Sequence, residues 1–133
     1  GVTWNSNGDN FECLIEPYGM LSVQSKSKKI YAFRAKGISM TGIGIQDGDI
    51  LFFDGSQDQE MSDGVYVFGF AGEAFCKLLR FERLENKVMI FSVQHRDLRD
   101  VELVKTVDIN SPEFKIFGRV LAWLHENTMN RIR

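Results

Sequence analysis

Residues 65–81 limit the possible folds more than any other stretch of the chain. Residues 65–70 and 73–81 are both rich in β-branched and aromatic side chains, and only Ala71-Gly72 lies between them. Such runs suit a pleated, half-buried surface, and a two-residue connection containing glycine suits a tight hairpin. The two runs are therefore predicted to pair antiparallel. Similar short runs recur at residues 30–34, 50–53, 87–93, 101–109 and 114–124, with turn residues between most of them and no long amphipathic helix. The expectation is an all-β fold, a small partly open barrel or sandwich of about seven short, mostly antiparallel strands.

At 133 residues the chain is long enough to bury roughly two thirds of its unfolded surface without disulfides or metals. Residues 1–10 (GVTWNSNGDN) show no sustained period and read as an N-terminal arm, in which Trp4 is the one large apolar side chain. Residues 11–133 read as one domain. Sixteen basic against eighteen acidic residues leave a net charge of -2, so the summed field offers no general attraction to nucleic acid or to an anionic membrane. The basic cluster Ser25-Lys26-Ser27-Lys28-Lys29 has no interleaved aromatic residues and reads as a solvated hairpin tip.

No apolar run approaches the roughly 20 residues that span a bilayer, and no signal-peptide pattern opens the chain. The two cysteines, Cys13 and Cys76, have neither a CxxC spacing nor a histidine cluster near them and read as ordinary thiols of a reducing cytoplasm. The acidic stretch at residues 47–63 lacks the alternate-position oxygens of a calcium loop. The expectation is a cytoplasmic protein with no metal, no cofactor and no membrane contact.

The chemistry-bearing candidates are Ser39 and Lys77. Lys77 stands in Phe75-Cys76-Lys77-Leu78-Leu79, where alternation puts Phe75 and Leu79 on its own face of the strand and Cys76 and Leu78 on the other. An amine held among apolar neighbours loses hydration, its pKa falls, and the neutral form can take a proton from a hydroxyl. The alternative is a lysine that snorkels to the rim of the sheet. Ser39, in Gly37-Ile38-Ser39-Met40, would by itself be a turn serine. Downstream, Asp47-Gly48 forms a turn feeding the strand at residues 50–53, and Asp49 is placed to accept hydrogen bonds from local backbone N–H groups. His95 lies among Arg96, Asp97 and Arg99 in a solvated turn, and His125 reads as a surface residue, so a Ser-His-Asp triad has no positional support.

These residues carry a family resemblance. Gly37-Ile38-Ser39-Met40, then Asp47-Gly48-Asp49-Ile50, then Ser62-Asp63-Gly64-Val65 through Lys77-Leu78-Leu79, and last Gly118-Arg119-Val120 resemble, in order and spacing, the C-terminal domain of the LexA, lambda-type repressor and UmuD family of self-cleaving serine peptidases. Three places depart from that family's pattern: Ile38 replaces a small polar residue, Thr41-Gly42 replaces a proline after the methionine, and the stretch at His95 lacks an Asn-Pro.

The resemblance implies Ser39 as nucleophile, Lys77 as general base, and the backbone N–H groups of Ile38 and Ser39 as the oxyanion hole. It implies cleavage of a small-residue–glycine bond in a linker upstream, so that Gly1 is either the first residue of the cleavage product or an arbitrary chain start. The internal Ala71-Gly72 bond, held in a hairpin, is a poor target. The implied role is that of a phage or bacterial repressor of the SOS type. It forms a homodimer or higher oligomer, binds DNA through a separate N-terminal domain, and cleaves itself when a RecA filament, or an antirepressor, favours the cleavable state. Residues 114–117 and 120–123 are either exposed edges for the dimer contact or a buried core strand. The alternative is a UmuD-like polymerase accessory or a purely oligomerising module without catalysis. A signal-peptidase-like enzyme is disfavoured by the lack of a membrane anchor.

Overall fold

The computed structural model describes residues 2–6, 9–15, 21–24, 29–56, 61–97, 99–125 and 128–131, with side chains between residues 29 and 125 of that set. Eleven strands join one antiparallel sheet. They are β1 (Val2–Ser6), β2 (Asp9–Ile15), β3 (Leu21–Gln24), β4 (Lys29–Arg34), β5 (Ile50–Asp54), β6 (Gly64–Phe70), β7 (Glu73–Glu82), β8 (Lys87–Ser92), β9 (Glu102–Asp108), β10 (Phe114–His125) and β11 (Thr128–Arg131).

The all-β expectation holds. β4 to β10 correspond one for one to the apolar runs, because each run alternates or is β-branched and ends at turn residues. β1, β2, β3 and β11 add to either end, and the first ten residues, read as an arm, hold β1 and the start of β2, which pair antiparallel. Residues 25–28 of the basic cluster, the side chains of Trp4 and Cys13, and Gly1 lie outside the described residues.

The hairpin forms as its connection requires. Phe70 pairs with Glu73, and Ala71 and Gly72 take φ 50° and 85° to close the turn. The two faces of this hairpin meet different cores. Val65, Val67, Ala74, Cys76 and Leu78 pack with Phe33, Met40, Ile45, Leu51, Phe53 and Trp123. Tyr66, Phe68, Phe75, Leu79 and Phe81 pack with Val88, Ile90, Val107 and Phe114. A sheet buried on both faces explains why these strands read as nearly continuous apolar runs.

Along the sheet the order is β1-β2-β3-β4-β5-β10-β6-β7-β8-β9, with β11 pairing β10. β10 therefore lies between β5 and β6, and Phe114, Val120 and Trp123 are buried. Of the two readings of residues 114–117 and 120–123, the core strand is the one observed, and the exposed-edge reading is corrected. Their aromatic and aliphatic content serves the two cores rather than an open edge. Among the described residues no helix is long and apolar enough to cross a membrane.

Candidate active site

Ser39 sits in the connection between β4 and β5, and hydrogen bonds at several points fasten that connection to itself. Ala35 N–H donates to the Asp49 carbonyl (2.8 Å) and Gly48 N–H donates back to the Ala35 carbonyl (2.8 Å). Within this clasp the Asp47 carboxylate accepts from Gly37 N–H (2.7 Å). Asp49, only 2% exposed, accepts from Gln46 N–H (2.7 Å) and lies 2.7 Å from Nδ1 of His125 on β10. The role foreseen for Asp49 toward local backbone is thus observed. Its pairing with His125, 76 residues away, could not be read from the chain. Beyond Ser39, a 3₁₀ turn at Thr41–Ile43 folds back so that both N–H and Oγ1 of Thr41 donate to the Ile38 carbonyl.

Lys77 lies midway along β7, whose two sides differ. β6 faces it from Glu73 to Leu79. Among the described pairings, β8 faces only Leu78 to Glu82. The part of β7 from Glu73 to Lys77 thus leaves its second side to a pocket of about 600 Å³. This pocket is lined by Gly72 to Lys77 on one wall and by Phe33, Ala35, Lys36, Gly37, Ile38, Ser39, Met40 and Ile45 on the other. Ser39, Lys77 and Ile38, separated along the chain, therefore share one cavity. Gly1, the fourth residue singled out from sequence, lies outside the described residues.

Burial holds the Lys77 amine below the usual lysine range. The neighbouring Cys76 thiol is pushed up to about 12 by its own burial. It therefore stays protonated at neutral pH and sets no negative charge beside the amine. The amine donates a hydrogen bond to Oγ of Ser92, at 3.4 Å.

Ser92 was not among the residues singled out from sequence. The one signal was a lone hydroxyl in the apolar run Val88-Met89-Ile90-Phe91-Ser92-Val93, and its meaning depends on how β8 aligns with β7. That alignment ends at Leu78 opposite Phe91, so one further step brings Ser92 opposite Lys77.

The turn after β8 also holds the serine. Val93 N–H donates to the Ser39 carbonyl (2.7 Å), and Gly42 N–H donates to the Val93 carbonyl (2.7 Å). The two segments run so close that a Cβ at Gly42 would lie 2.3 Å from the His95 carbonyl oxygen. Two of the departures from the family pattern, Thr41-Gly42 and the stretch at His95, thus meet in space. The His95 side chain is exposed, as expected, while its main chain forms the contact. His125 is half-buried against Asp49 and is not part of the pocket lining.

The arrangement places the Ser39 hydroxyl and an amine of lowered basicity on the lining of one cleft, beside a strand side with no described partner. Among the described residues, no group of three or more His, Cys, Asp or Glu side chains is placed to hold a metal ion. A family model described as Peptidase S24-like matches residues 6–121, a span that includes Ser39, Lys77 and Ser92. No curated protein matches the chain.

Proposed function

Because the chain belongs to the Peptidase S24-like family of serine peptidases, we propose that it is a self-cleaving domain of the LexA and UmuD type in which Ser39 and Lys77 form the catalytic pair. The observation that carries this reading is the shared pocket, with Ser39 on one wall and an amine of depressed pKa on the other. In the neutral state Lys77 takes the proton of the Ser39 hydroxyl as Oγ attacks the carbonyl of the scissile bond. The N–H groups of Ile38 and Ser39 face the developing oxyanion, and donors of that kind are worth roughly 3–4 kcal/mol of barrier each. The ammonium then gives its proton to the leaving amide nitrogen. A second round, with water as nucleophile, releases the acyl group from Ser39.

The Glu73 to Lys77 side of β7 is suited to receive the substrate as an added strand, with main-chain hydrogen bonds setting its register. A linker laid there brings its own peptide bond past Ser39. The wider role that fits is that of a cytoplasmic repressor domain, which pairs subunits and loses that function when a RecA filament or an antirepressor promotes cleavage. With a net charge of -2, DNA contact is left to another segment.

The test uses a chain extended upstream through its linker, incubated at alkaline pH and followed by intact mass. The expected product begins at Gly1, and Ser39→Ala and Lys77→Ala each abolish it while the melting temperature is kept. Unimpaired cleavage in Lys77→Ala would end the catalytic-pair reading, and a fragment beginning elsewhere would remove Gly1 from it.

A further inference from the structure

Among the described residues two polar side chains are buried, Asp49 at 2% exposure and Ser92 at 6%. Asp49 is accounted for by Gln46 and His125. Ser92 stands at the last position of β8, preceded by Val88, Ile90 and Phe91, all buried, and followed by buried Val93. A hydroxyl in such surroundings costs stability unless it is hydrogen-bonded, and the partner it has is the Lys77 amine. Its chain neighbour Val93 bonds the Ser39 main chain. Two consecutive residues therefore touch both halves of the proposed catalytic pair, one through a side chain and one through the backbone.

Resting on the proposed Ser39–Lys77 reading, we infer that Ser92 is a positioning residue that orients the Lys77 amine for proton transfer. A neutral amine carries two N–H bonds and one lone pair. When one N–H is given to Ser92 Oγ, rotation about the Cε–Nζ bond is restricted and the lone pair is turned away from β8, into the cleft that Ser39 lines. A neutral acceptor suits this task. A carboxylate there would hold the lysine as an ammonium, whereas a hydroxyl orients the amine and still lets it lose its proton.

The charge state gives the inference a distinctive signature. An ammonium donates a stronger hydrogen bond than an amine, so the hydroxyl favours the protonated form of Lys77. Its removal lowers the pH at which the base becomes active and, at the same time, lowers the rate reached once it is active. A side chain that merely filled space would change the rate without moving the pH midpoint.

The experiment measures phosphonylation of Ser39 by a fluorophosphonate as a function of pH. The probe forms a P–O bond to Oγ and expels fluoride, and it is read by intact mass together with melting temperature. Ser92→Ala is expected to lower the plateau rate by about 10- to 100-fold, the scale of a misplaced catalytic group, and to shift the midpoint downward. Ser92→Cys keeps the volume while replacing the hydroxyl by a weak acceptor, and it is expected to behave in the same way, so it decides the matter if the alanine variant does not fold. Ser92→Thr is expected to restore both rate and midpoint.

Wild-type rate and midpoint in a folded Ser92→Ala or Ser92→Cys variant would overturn the inference. So would a lower plateau with an unmoved midpoint. Either result with a Lys77→Ala variant that is unreactive leaves the catalytic pair standing. A Lys77→Ala variant as reactive as wild type would instead overturn the pair itself.

Discussion

Substituting Gly42 tests whether the contact between the serine loop and the end of β8 sets the site. An added Cβ would meet the His95 carbonyl oxygen at 2.3 Å, and the His95 nitrogen and carbonyl carbon at 2.7 and 2.8 Å. All three obstacles are main chain, so no side-chain rotation relieves them. The oxygen contact is about 1 Å short of the ~3.3 Å at which carbon and oxygen normally meet. Parting the segments by that amount stretches the 2.7 Å bonds from Gly42 to Val93 and from Val93 to Ser39 beyond hydrogen-bonding range. Two lost main-chain bonds at about 1 kcal/mol each, with residual overpacking, give about 2–3 kcal/mol of destabilisation. For a domain of this size the melting temperature then falls by about 7–10 °C. Reactivity should fall further than stability, because a displacement of about 1 Å at a catalytic centre costs roughly 100-fold in rate. The assay pairs thermal melting with fluorophosphonate labelling of Ser39 in Gly42→Ala, with Gly48→Ala as control. Gly48 has a positive φ, 87°, and a Cβ there meets nothing within 4 Å. The control should lose about 1–2 kcal/mol to backbone strain while Ser39 reactivity persists. Wild-type melting and labelling in Gly42→Ala would refute the reasoning.

Four further outcomes are expected. Labelling of Ser39 should rise with pH and level off below the ordinary lysine value of 10.5, because burial depresses the Lys77 amine, and Lys77→Met should lose the rise. The same shift affects stability. The unfolded chain binds more protons between the depressed value and 10.5, so stability rises with pH across that window, and Lys77→Met should flatten this part of a denaturation-versus-pH curve. Asp49→Ala, which takes the acceptor from Gln46 N–H and one partner from the His125 ring, should cost about 1–3 kcal/mol in urea unfolding; a loss below about 0.5 kcal/mol would contradict its role as a clasp. Cys76, buried and raised to about 12, should resist iodoacetamide at about pH 8 in the folded protein and react once the chain is unfolded in urea.

Local features were the legible ones. The Ala71-Gly72 hairpin could be read because its partners are chain neighbours, and the seven strands from β4 to β10 could be read because each carries its own alternation. Lys77 stood out because its surroundings are its own strand neighbours. Ser92 did not, since only the register of β7 against β8 makes it the lysine's partner. The link from Val93 to Ser39 is main chain to main chain, which no side-chain pattern encodes. The interior position of β10 was equally hidden, because an apolar strand has the same composition whether it borders solvent or a neighbour. Asp49 was read correctly toward Gln46, three residues away, and missed toward His125 on a distant strand.

The strand order β5-β10-β6 also has a consequence for synthesis. Ser39 belongs to the block ending in β5 and Lys77 to the block beginning with β6, and the strand that lies between these blocks in the sheet is among the last to be made. At about 5–20 residues per second, β10 follows Lys77 out of the ribosome by seconds, and its long-range pairings form slowly compared with hairpins. Until it zips in, the two blocks share no sheet, and the serine loop is held near the lysine strand by contacts such as those of Val93 with Ser39 and Gly42. In a nascent chain the complete sheet that carries Ser39 and Lys77 is therefore not in place until translation has delivered its interior strand.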